Sequence, residues 1–163
     1  MPGQLVYNYE PPIGVHGQLI ENYLHAAVSA LACVEVIPVG VVVCYDTTAG
    51  RPPKAVRNVA ATGDVTTLTG VMGITQWDPS YPEPPYRLGA TLPVLRKGRI
   101  AIIAETALAS HTTPFVRFAL VGAGTMFGAL RADADAGNAV AAPYLTVVQG
   151  AAIGGVAIVE IDL

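Results

Sequence analysis

Three histidines, two cysteines, three serines and a few clustered carboxylates are the chemically capable side chains of this 163-residue sequence. His16, His25 and His111 lie far apart and none belongs to a ligand-spaced pair, so no metal centre is predicted. Ser110-His111, with Glu105 nearby, is where a small hydrolase site could be assembled. Such a site is recognised by geometry, and the G-x-S-x-G elbow that would announce it is missing. Asp133 and Asp135, in RADADAG, would share one face of a strand. Paired carboxylates can hold Ca²⁺, but the EF-hand pattern with its later bidentate Glu is absent, which favours a solvated strand-to-turn segment. Residues 122–128, GAGTMFG, are one residue too long for a dinucleotide fingerprint and no helix-forming stretch follows them. The expected outcome is a protein with no catalytic residues, no cofactor and no metal.

Cys33 and Cys44 flank Ile37-Pro38-Val39-Gly40. A tight turn at Pro38-Val39 would bring them opposite each other, where a disulfide is geometrically conceivable. No export signal opens the chain, and two buried thiols fit that setting better.

The elements that must position these groups are short and β-like. Residues 86–105, YRLGATLPVLRKGRIAIIAE, read as two apolar strands joined at Arg96-Lys97-Gly98 in a β-hairpin, with Gly98 supplying a turn conformation. The Arg96-Lys97-Gly98-Arg99 cluster then reads as a solvated hairpin tip rather than a phosphate site. Residues 34–37 and 39–45 are β-branched runs, residues 17–21 a short strand, and residues 22–32 favour strand or irregular structure over helix. Residues 46–64 form a loop interrupted by a short strand near 55–60, and residues 68–75 return to strand. Residues 77–85, WDPSYPEPP, hold four prolines and are excluded from a central strand. Further strands are expected at 115–121, 127–135, 144–149 and 155–163, giving about ten separated by Gly- and Pro-containing turns. That pattern predicts a single all-β domain, a sandwich or barrel, over residues 13–163. Residues 1–12, MPGQLVYNYEPP, read as an extended N-terminal arm whose Leu5, Val6, Tyr7 and Tyr9 suit a neighbouring subunit better than solvent.

Hydrophobic residues make up 52% of the chain and charged residues only 13%, against about 25% charged in ordinary soluble domains. A surface so poor in charge argues for coverage by other subunits or a partner. Net charge is −3 and the isoelectric point about 5.5, which gives nucleic-acid binding no electrostatic support. No apolar stretch is long enough for a membrane-spanning helix despite a mean hydropathy of +0.48.

The order of segments carries more than any one motif: GVHGQLIEN, then VEVIPVGVVVCYD, TLTGVMGIT, YRLGATLPVLRKGRIAI, GALRADADAG and the terminal GVAIVEIDL. In that order the chain resembles the structural cement (head decoration) proteins of tailed bacteriophages from about residue 13 to 163. The resemblance implies a β-tulip core with an extended N-terminal arm. It also implies a homotrimer on the outer surface of the expanded head, bridging neighbouring major capsid proteins after assembly in the host bacterial cytoplasm. No catalytic residue is carried over. Leu5, Tyr7, Tyr9, Trp77, Tyr81 and Tyr86 are the expected capsid or trimer contacts, since Trp and Tyr are enriched at interface hot spots. Two other functions fit the same residues: a β-sandwich surface module that binds glycan or host protein through aromatic loops, and the small hydrolase around Ser110, His111 and Glu105.

Overall fold

The computed structural model describes residues 16–20, 26–32, 35–80 and 85–163. Its centre is a closed ring of five strands. These are β1 (Ala26–Ala32), β2 (Val42–Tyr45), β3 (Ala55–Asn58), β4 (Val71–Thr75) and β5 (Thr91–Ile103), in the order β1-β3-β2-β4-β5, with β1 pairing back onto β5. Only the β1–β3 pair in this ring is parallel. Closure removes the open sheet edges on which unwanted strand pairing starts.

The predicted hairpin is absent: β5 runs unbroken through 13 residues, TLPVLRKGRIAII, on the order of 40 Å of extended chain. Its first half closes the ring against β1, and its second half, Lys97 to Ile103, pairs with β10 (Val156–Asp162). Gly98 has φ +126°, outside the left-handed values near +60° that open a two-residue hairpin turn. It opposes Ile161 and lets the strand change partners without reversing. The basic cluster is therefore no loop tip. Lys97 and Arg99 face Asp162 and Glu160 across the ladder, each ion pair at 2.9 Å. Such exposed pairs contribute little; the register is held by Ile100 and Ile102 packing with Ala157, Val159 and Ile161, all fully buried.

β10 also pairs with β9 (Leu145–Gln149), and a separate three-stranded sheet orders β7 (Leu130–Arg131), β6 (Phe115–Arg117) and β8 (Ala139–Ala141). Two apolar cores result. Val43, Val56, Met72, Leu92, Val94 and Tyr86 belong to one core, and Val42, Cys44, Val71, Ile74 and Leu95 to a second core with β9, β10 and β6. Because successive side chains of β2 and β4 enter different cores, both strands are continuous apolar runs rather than alternating ones.

Other expectations meet mixed outcomes. β1, β3, β4, β6, β7, β9 and β10 fall within the ranges anticipated for them. Residues 35–37 form no strand; Ile37 makes a single bridge, to Tyr86, so the imagined pairing of residues 34–37 with β2 is replaced by β3 and β4 on either side of β2. In the segment 17–20 only Leu19 bridges, to Ile100. β8 lies in a stretch for which no element was expected, and the single-turn helix α1 (Thr62–Thr66) begins inside the stretch read as loop. α1 lacks a capping side chain at Ala61; the Asp64 carboxylate instead accepts the N–H groups of Ala60 and Ala61 and a bidentate Arg57.

Candidate functional site

An apolar groove of about 410 Å³ lies beside the end of β5, lined among the described residues by His16, Pro38, Val39, Trp77, Pro85, Ile103 and Met126. Each wall has a local cause. The segment 16–20 is stitched along β5: Gly17 donates to Ala101 O at 2.7 Å, Ala101 to Gln18 O at 2.9 Å and Ile20 to Arg99 O at 2.9 Å. Gly17 has φ +79°, and a Cβ there would collide with Val39 and come within 2.9 Å of the Trp77 nitrogen. Only glycine lets Trp77 donate to Gly17 O at 2.8 Å.

His16 forms part of the groove wall and is held from two sides. Its Nδ1 accepts the Ile103 backbone N–H at 2.8 Å. Its ring lies against Gly40, where φ is +67° and an added Cβ would overlap the imidazole. Burial pushes the His16 pKa down, and a hydrogen bond to the Val39 backbone only partly opposes this, so the ring is a neutral acceptor near pH 7.

The wall that carries Met126 comes from residues 118–128. Thr125 Oγ1 donates to Gly122 O at 2.8 Å and accepts from Val121 N–H at 3.3 Å, so GAGTMFG forms a turn rather than a phosphate cradle. Leu120 and Val121, just before it, are both more than half exposed. Ile103 and Met126 also border a second depression of about 210 Å³ that reaches Glu105 and Ile153. Trp77 and Ile103 are 41% exposed, Met126 38% and Ile153 73%.

Of the residues singled out from sequence, Trp77 lines the groove. Tyr86 does not: it is 1% exposed in the ring's core, and its hydroxyl donates to Gln76 O at 2.7 Å, bracing the backbone next to Trp77 from within. Leu5, Tyr7, Tyr9 and Tyr81, together with Cys33 and His25, lie outside the described residues. Cys44 is a buried thiol 3.5 Å from Asn58 O.

The chemically capable residues are engaged structurally. The Glu105 carboxylate receives Arg117 Nε at 2.8 and 2.9 Å. Ser110 Oγ accepts the Gly150 N–H at 2.9 Å, and exposed His111 occupies a turn at φ +62°. Asp133 and Asp135 share no strand face, because β7 ends at Arg131. Asp135 instead contacts Arg117 at 2.7 Å and Arg131 at 3.1 Å, while Asp133 takes Arg131 at 2.6 Å. This cluster, with Arg117 and Arg131 almost fully buried, was not visible in the sequence; two arginines inside β-like apolar runs were its only trace. Among the described residues no group of His, Cys, Asp and Glu could hold a metal ion, and no helix is long and apolar enough to cross a membrane.

The family model described as structural cement protein (E217 gp24/Pam3 gp6) matches residues 3–162. The chain belongs to that family. A search of the curated proteins finds no match. Among solved structures, a chain of "The capsid of Myoviridae Phage XM1" superposes with a TM-score of 0.67 at 14% identity, covering 99% of this chain and 98% of that one. At that identity the likeness shows a shared fold. Membership in the cement family makes the chain a capsid-stabilising structural protein of a bacteriophage particle.

Proposed function

We propose that the chain is a non-enzymatic decoration protein that docks as a homotrimer on the outer surface of the expanded phage head. There it bridges neighbouring major capsid proteins, after assembly in the host bacterial cytoplasm. The observation that carries this reading is the family match across residues 3–162, joined to an apolar surface at Trp77, Ile103, Met126 and Ile153. Residues 1–12 serve as an arm and 13–163 as the core that presents the contacts. Trp77, Leu5, Tyr7, Tyr9 and Tyr81 are the proposed contacts, with Tyr86 supporting Trp77 from the core. A patch on the order of 800 Å² per partner suffices for specific association, and three linked copies gain strength by engaging together. The closed ring suits the task because a rigid scaffold leaves little ordering cost at docking.

Light scattering coupled to size-exclusion chromatography tests this, on the protein alone and mixed with undecorated heads. Trimers that move into the head peak support the reading. A protein that leaves heads undecorated at all concentrations overturns it. Replacing Trp77 by Ala is expected to weaken head binding by about tenfold or more, in the range of hot-spot truncations.

A further inference from the structure

The groove is apolar, and the chain enters the described fold at its wall. Fifteen residues precede His16, and within them Leu5, Tyr7 and Tyr9 fall at alternate positions. In an extended segment alternate side chains project to one face, so residues 5–9 would present three large apolar groups together. Residues 5–9, LVYNY, hold no charged side chain, so this segment carries no ionised side chain into the groove.

We propose that the groove bounded by His16, Trp77, Ile103 and Met126 is the seat for residues 5–9 of a second copy of this chain. The choice of a second copy rests on Glu10-Pro11-Pro12. Proline fixes φ and confines the preceding residue to extended conformations. That resists the sharp reversal needed to return Leu5 to a groove whose wall is His16 of the same chain. Each protomer then gives one segment and receives one, a head-to-tail contact that closes when the rotation is cyclic. The inference rests on the oligomeric reading above and assigns the groove to the contact between protomers, so that Trp77 acts on head binding through the joint engagement of linked copies.

Trp77 is the only tryptophan in the sequence, so its fluorescence reports on this groove alone. The experiment uses the full chain, as wild type and as Tyr7→Asp, Leu5→Asp, Met126→Lys and Leu68→Lys. Leu68 is an exposed residue that does not line the groove. Circular dichroism establishes that each variant is folded, and mass by light scattering and Trp77 emission are followed on dilution. Wild type and Leu68→Lys are expected to be oligomers whose Trp77 emission shifts to the red as they dissociate. The two arm variants and Met126→Lys are expected to be monomers, already red-shifted at the highest concentration. Arm variants that assemble like wild type with unchanged emission overturn the proposal. So does a monomeric wild type whose emission responds to Tyr7→Asp, since the segment then fills its own groove. Loss of assembly in Met126→Lys but in neither arm variant overturns it too. Head decoration is scored separately, so failure of the arm contact is distinguishable from failure of capsid binding.

Discussion

His16 Nδ1 accepts the backbone N–H of Ile103 at 2.8 Å, a contact between residues 87 positions apart that ties the segment before β1 to the last residue of the longest strand. The bond exists only while the imidazole is neutral at Nδ1, since an imidazolium has no acceptor.

A pH dependence follows. Burial holds the folded His16 pKa below its ordinary value, which is about 6.5. As pH falls below that value the unfolded chain takes up a proton before the folded one does, so stability is full above it and declines toward the folded pKa. Thermal midpoints measured between pH 8 and 5 should fall on the acid side, and His16→Gln should flatten that part of the profile. Amide exchange at Ile103 should accelerate over the same range in wild type. A midpoint that rises on acidification through this window would contradict the assignment.

Arg117 is 2% exposed and bonds Glu105, Asp135 and the Ala119 carbonyl, joining β6 to the turn after β7 and to the end of β5. Arg117→Met removes the almost fully buried cation and leaves the half-buried Glu105 and Asp135 with Arg131 alone, at 3.7 and 3.1 Å. The expected cost is about 3 kcal/mol, the scale for breaking a buried pair from one side. Urea unfolding of the variant measures it. Asp133, whose carboxylate is largely in solvent, should be replaceable by Asn with little change.

Gly73 in β4 has φ +150°, and an added Cβ would overlap the Leu95 carbonyl across the β4–β5 pair. Gly73→Ala should cost about 3 kcal/mol, combining an unfavourable φ with backbone displacement in the ring wall. Calorimetry should show that as a drop of about 10 °C for a chain of this size. Gly50→Ala is the matched control: φ is +85° but nothing lies within 4 Å of the new methyl, leaving a backbone penalty of about 1 kcal/mol.

Burial, with the Asp64 charge nearby, pushes the Cys44 thiol up to about 12. In a Cys33→Ser background, native protein at pH 8 should react with a disulfide reagent about a thousandfold more slowly than unfolded protein, since the thiolate is the nucleophile. Fast native labelling would place Cys44 outside the second core.

The candidate surface divides along the same physical line as the fold. The exposure of Trp77 was legible because the prolines around it deny it a place in a central strand. Tyr86, nine positions later and of similar chemistry, lies in the ring's core, and no local pattern separates the two. His16 and Met126 line the same groove although nothing in their neighbourhoods marks them; 110 positions separate them in sequence, and only β5 and the Gly-rich turn bring them together.

By itself the sequence determined the all-β class, most strand positions, the poverty of surface charge and the family. Those properties live in β-branched runs, turn residues and segment order, which are local. The tertiary structure alone decided that β5 is one strand. A glycine between two apolar runs permits either a reversal or a change of partner, and β1 and β10, far away in the chain, select the second. It alone closed the ring, buried Tyr86, gathered Arg117 and Arg131 around three carboxylates and opened a groove at the root of the N-terminal segment. Each of these depends on which distant backbone supplies the next hydrogen bond or the opposite charge, and no window of sequence contains both partners.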